Sequence, residues 1–161
     1  MKRLLVLISA CFLFSQTSFA NHITGGEMYY TLVSQTGNNY TYHVTLKLYR
    51  RCGGIGAPLD PSAAIAIYDR TNGGIAWSSS VPSSLKVDLN LVSPSPCITT
   101  PPTICYQVGY YEFDVTLPGT VNGYTVASQR CCRIDSINNL VGSASVGATY
   151  TAEIPGTSQL A

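Results

Sequence analysis

The chain has 161 residues, 45% of them hydrophobic and only 11% charged, with six cysteines, eleven tyrosines and a formal net charge of +1. The scarcity of Lys and Arg excludes the clustered cations that a nucleic-acid binder needs to displace counterions. The supply of tyrosine and aliphatic side chains excludes a disordered chain, which lacks the apolar surface to fold.

The first twenty residues have the three parts of a secretory signal: Lys2 and Arg3, an apolar stretch over residues 4–14, and Ser18-Phe19-Ala20 before the expected cleavage point. At about eleven residues the apolar stretch falls short of the roughly 20 needed to span a bilayer as a helix. Cleavage after Ala20 leaves seven basic against eight acidic residues, or −1. A rival reading takes Ile8-Ser9-Ala10-Cys11 as a lipoprotein site with Cys11 lipidated, but that would cut the apolar core in half. The remainder, 21–161, has the length of one domain.

From residue 27 onward the dominant period is two. Strands are expected over 27–33, 40–49, 63–68, 75–79, 85–92, 111–117, 124–130 and 146–154. The clearest is the second, where Tyr40, Tyr42, Val44, Leu46 and Leu48 alternate with Thr41, His43, Thr45, Lys47 and Tyr49. Turn chemistry separates the strands, as in Thr36-Gly37-Asn38-Asn39, Thr71-Asn72-Gly73-Gly74 and Asn122-Gly123. Seven or eight short strands with frequent turns and no capped helical window predict an all-β fold, an antiparallel Ig-like sandwich stapled by disulfides.

Without the leader the cysteines are Cys52, Cys97, Cys105, Cys131 and Cys132, an odd number in a compartment where disulfides persist. Cys97 and Cys105 bracket a short loop stiffened by Pro101 and Pro102, and this pairing is expected. Cys131 and Cys132 would point to opposite faces of a strand, so one of them is expected to bridge to Cys52. A vicinal bridge between them is the strained alternative. These spacings match neither zinc pairs nor a redox C-x-x-C.

Glu112 and Asp114 share one face of a strand and are the candidate carboxylate pair for glycoside hydrolysis. Such alternating acids are more often a solvated face. His22 and His43 have no triad partners in the sequence. Asp60, Asp69 and Asn72 lie near turns that can supply oxygens to calcium, although no D-x-D-x-D loop is present. Gly53, Gly54 and Gly56 lack the lysine and helix of a phosphate loop. Arg50, Arg51, Arg130 and Arg133 sit beside cysteines, positions suited to strand-end ion pairs or to an anionic ligand or glycan. Trp77 and the tyrosines can stack on sugar rings or fill a core.

Four segments together carry a resemblance. They are His22-Ile23-Thr24-Gly25-Gly26-Glu27-Met28-Tyr29-Tyr30, Leu46-Lys47-Leu48-Tyr49-Arg50-Arg51-Cys52, Gln129-Arg130-Cys131-Cys132-Arg133 and Gly147-Ala148-Thr149-Tyr150. In this order they resemble the N-terminal region of large secreted Bacteroidetes surface proteins, which continue through Ig-like modules to a gliding-motility-associated C-terminal domain used by the type IX secretion system. The chain departs from that pattern at Arg51, where relatives often have Asp, and at Ile134, where Asn is frequent. Ending at Ala161 without those modules, it reads as a truncated member, and the odd cysteine then points to a partner beyond the end. Asp135-Ser136-Ile137 resembles the O-glycosylation motif of that phylum, with Ser136 the attachment site.

The expected function is a non-enzymatic, exported β-sandwich module of a cell-surface or extracellular, gliding-associated adhesion protein. It would have no cofactor or metal, and its partner would be an extracellular glycan or a surface protein. A carbohydrate-binding module using Trp77 is the alternative, and a glycoside hydrolase using Glu112 and Asp114 the second.

Overall fold

The computed structural model describes residues 23–52, 57–90, 97–100, 105–134 and 137–159. Among the described residues seven strands follow one another: β1 (Ile23–Thr36), β2 (Asn39–Arg51), β3 (Ser62–Asp69), β4 (Ile75–Asn90), β5 (Cys105–Pro118), β6 (Tyr124–Arg130) and β7 (Ala148–Ile154). Their spatial order is β1-β2-β5-β4-β3-β6-β7, and every neighbouring pair is antiparallel. β3, β4 and β5 form consecutive hairpins, with β2 placed beside β5 and β6 beside β3, so two Greek keys overlap. β1 comes round beside β7, giving a nearly closed sheet. There the ring of Tyr150 occupies the space a side chain at Gly26 would need. Among the described residues no helix is long and apolar enough to cross a membrane.

The predicted period holds in the two central strands. Tyr42, Val44, Leu46 and Leu48 of β2 and Tyr111, Val115 and Leu117 of β5 are buried, and they meet Ile65, Ile67, Val81, Val126, Tyr150 and Ile154 in one core. The two strands expected over 75–79 and 85–92 are instead one continuous β4. Its first half pairs with β3 as far as Ser62↔Pro82, and from Ser83↔Tyr111 onward it pairs with β5. Pro82 stands where the ladder changes neighbour, the place at which a missing N–H disturbs it least.

Strand register also settles the bridges. β2 and β5 pair as far as Arg51↔Tyr106, the Cys52 amide donates to the Cys105 carbonyl at 3.0 Å, and the two Cα atoms stand 5.1 Å apart. Cys52 is therefore disulfide-bonded to Cys105, which corrects the expected Cys97 pairing. β6 ends at Arg130, so Cys131 and Cys132 do not alternate on a strand; they are joined to each other across a cis peptide bond. Cys97 is exposed and belongs to neither bridge. Just beyond, the Ile134 amide donates to the Ile23 carbonyl at 3.1 Å and that of Arg133 to Val146 at 3.1 Å, fastening the start of β1 near that of β7.

Tyr124 opens β6 and donates its hydroxyl hydrogen back to the Pro118 carbonyl at 2.6 Å, clamping the β5–β6 crossover in the manner of a tyrosine corner. Tyr111, fully buried, donates to the Asp60 carbonyl at 2.8 Å; burial first and the Asp60 charge second push its pKa up to about 12. Burial likewise raises Tyr30, Tyr42, Tyr124 and Tyr150. Because these folded-state values exceed the unfolded value of 10.0, the stability they confer is complete below pH 10 and is lost as pH rises toward 12. Alkaline titration should show the buried tyrosines ionising together with the loss of β-sheet circular dichroism. Independent ionisation of all eleven before unfolding would contradict this burial.

Candidate interaction face

Directly opposed residues of an antiparallel pair share a face. The outer face of β1, β2, β5 and β4 can therefore be read as rows. One row is Glu27, Lys47, Tyr110 and Leu85; the next is Gly25, Tyr49, Val108 and Val87; the last is Arg51, Tyr106 and Leu89. Leu85, Val87 and Leu89 are exposed, whereas Val108 beside them is 2% exposed although it lies outside the core cluster. It is shielded from the outer side of the sheet. A β-bulge between Ser83 and Leu85 produces this arrangement. Ser83 opposes the inward Tyr111, and the extra residue turns Leu85 to oppose the outward Tyr110.

Lys47 organises the middle of the face. Its ammonium donates to Glu27 Oε1 at 2.8 Å and lies 4.9 Å from the ring centroid of Tyr29 and 5.6 Å from that of Tyr110. Tyr49 donates to the same Glu27 oxygen at 3.1 Å. The bonds from Lys47 and then Tyr49 hold the Glu27 carboxyl below its ordinary range, and the Glu27 bond raises Lys47. This pair is solvent-exposed on the Glu27 side and salt-screened, so its work is to orient side chains rather than to stabilise the fold.

The acids of the hydrolase alternative lie on the same face, one and two rows further along. His43 opposes Asp114 and Thr45 opposes Glu112. His43 Nδ1 is 2.7 Å from Asp114 Oδ1 and its Nε2 is 3.8 Å from Glu112 Oε1, while Ser84 donates to Glu112 Oε2 at 2.6 Å. The carboxylates thus flank an imidazole that the sequence placed on a polar face without a partner.

Other expected site residues are placed elsewhere. Trp77 is half-buried against the core and stacks on Phe113, with ring centroids 4.4 Å apart, so that ring face is not available to a sugar. In the ladder Trp77 stands opposite the inward Ile67. Asp60 pairs with Arg130, whose Nη2 donates to Oδ1 at 3.0 Å. Asp69 and Asn72 accept the amides of Thr71 and Gly74, each at 2.7 Å, and so build their turn. Arg50 Nε donates to the Ala57 carbonyl and Arg133 Nε to the Gly147 carbonyl. Arg51 is exposed and makes no ion pair among the described residues. Ser136, His22, Cys11, Ala20 and the Gly53-Gly54-Gly56 loop lie outside the described residues.

Among the described residues, two concavities of the outer surface stand out. The larger, about 630 Å³, lies over β3, β4 and β6 and is lined by Ala64, Ala66, Ala127 and short serines, with Tyr68 and Gln129 among them. The smaller, about 370 Å³, lies at the end of the tyrosine face and is lined by Thr24, Gly25, Tyr49, Leu89 and Tyr106. No protein-family model matches the chain, and no curated protein or solved structure is similar enough to it to count as a match.

Proposed function

We propose that the chain is an exported, non-catalytic binding module of a cell-surface or extracellular adhesion protein of the gliding-associated kind, engaging its partner through the outer face of β1, β2, β5 and β4. The observation that carries this reading is the outward display of Leu85, Val87 and Leu89 around the covered Val108, next to Tyr49, Tyr106 and Tyr110. An apolar and aromatic patch of this kind on a folded domain is the mark of a contact surface. The signal-like residues 1–20, the resemblance to secreted surface proteins and the two disulfides support export.

Fluorescently labelled protein applied to intact cells of the producing organism and to their extracellular polymer should bind saturably. Combined replacement of Leu85, Val87 and Leu89 by Ser should weaken that binding at least tenfold with little change in Tm, because none of the three belongs to the core cluster. Binding unchanged in this variant would reject the face.

A carbohydrate-binding reading is favoured by the tyrosine-lined groove rather than by Trp77. The hydrolase reading requires turnover of glycosides that Asp114→Asn abolishes.

A further inference from the structure

The groove of about 370 Å³ has a glycine for a floor and tyrosines for walls. A side chain added at Gly25 would meet no atom within 4 Å, so the space over that backbone is open. Glycine in a strand often marks such close approach to the backbone. On one side stands Tyr49, its hydroxyl tied to Glu27 at 3.1 Å, which fixes the ring. Farther along it, on β5 beyond Tyr49, stands Tyr106, flanked in register by Leu89 and Arg51. The volume falls at the small end of the range for ligand clefts, about 300–1,000 Å³. It suits one or two rings, not a protein domain.

Charge narrows the ligand further. The carboxylate of Glu27 is already neutralised by Lys47 at 2.8 Å, whereas the exposed guanidinium of Arg51, beside Tyr106, has no ion-pair partner among the described residues. Beside the groove, opposite its lining residue Tyr106, there is thus a cation without an ion-pair partner among the described residues, of the type that grips a carboxylate by two parallel hydrogen bonds. We infer that this groove is a subsite for an acidic sugar, a uronate residue of an extracellular polysaccharide, with the pyranose between Tyr49 and Tyr106 and its carboxylate on Arg51. The inference rests on reading the outer face as a binding surface and gives that surface its ligand class.

The test is isothermal titration of the disulfide-intact protein, in the presence of a chelator, with a galacturonate hexamer and with a neutral galactose hexamer. The uronate should bind at least tenfold more tightly than the neutral sugar. Arg51→Gln should erase that preference, and Tyr106→Ala should abolish binding of both. Gly25→Val fills the groove without touching the core, so it should remove binding at unchanged Tm. Equal affinity for the two hexamers, uronate binding indifferent to Gly25→Val and Arg51→Gln, or no heat with either sugar would overturn the subsite. A concentration-dependent dimer lost in Gly25→Val would assign the groove to a second copy of the chain instead. If cell binding persists and still depends on Leu85, Val87 and Leu89 while neither hexamer binds, the module reading stands and the sugar subsite falls.

Discussion

Replacing Cys52 and Cys105 together by Ala should lower stability by about 4 kcal/mol, the loop-entropy value for a bridge between residues 53 apart in sequence. In a domain of this size that corresponds to a drop in Tm of roughly 10–15 °C, readable by calorimetry. Cys131→Ala with Cys132→Ala should shift Tm far less, because a bridge between adjacent residues closes no loop. Peptide mapping checks the pairing directly. Trypsin places Cys52 in fragment 52–70, and both Cys97 and Cys105 in fragment 87–130. The cross-linked pair of fragments should survive in a Cys97→Ser variant and vanish in Cys105→Ser. Survival in Cys105→Ser and loss in Cys97→Ser would reverse the assignment.

Gly123→Ala should destabilise the protein by ~3 kcal/mol or more, combining the cost of a left-handed backbone with a main-chain displacement. Gly123 has φ +74°, and a Cβ there would run into the backbone of Ile154, Pro155 and Gly156. The residue sits between the β5–β6 crossover and the end of β7, immediately before the Tyr124 clamp, so no side chain can yield to make room. Gly37, at the tip of the β1–β2 hairpin with φ +59° and nothing within 4 Å of an added methyl, is the control. Gly37→Ala should cost only the backbone term, about 1–2 kcal/mol. Urea unfolding of the two variants separates the cases, and equal losses would refute the crowding at Gly123.

What the sequence discloses here is what depends on neighbours two residues apart. The alternation in β2 and β5 fixes Tyr42, Val44, Leu46 and Leu48, and Tyr111, Val115 and Leu117, as inward, and these are the core. The antiparallel all-β class follows from such strands and their turns. The features that the sequence leaves open or misassigns depend on distant partners. Leu85, Val87 and Leu89 alternate with Lys86 and Asp88 just as a buried strand face would, and only pairing with β5 across the Ser84 bulge sends them outward. Cys105 finds Cys52 because two ladders run to the same end, while the nearer Cys97 lies off the strand. Trp77 looks free in the sequence because its inward orientation is imposed by Ile67 on β3. The groove carried one local signal, the adjacent glycines Gly25 and Gly26 in a strand that otherwise favours large side chains.

The odd number of strands has a mechanical consequence. In a ring whose neighbours are all antiparallel, directions alternate, so the seventh strand must run the same way as the first. β1 and β7 can therefore lie side by side only in parallel, and the peptide enters the barrel at one rim and leaves it at the opposite rim. Tension applied between those two points pulls along the strand axes, so the β1–β2 and β6–β7 ladders bear it in shear, with many hydrogen bonds sharing the force at once. Force applied at its two ends would pass through the length of the fold instead of unzipping it from one edge.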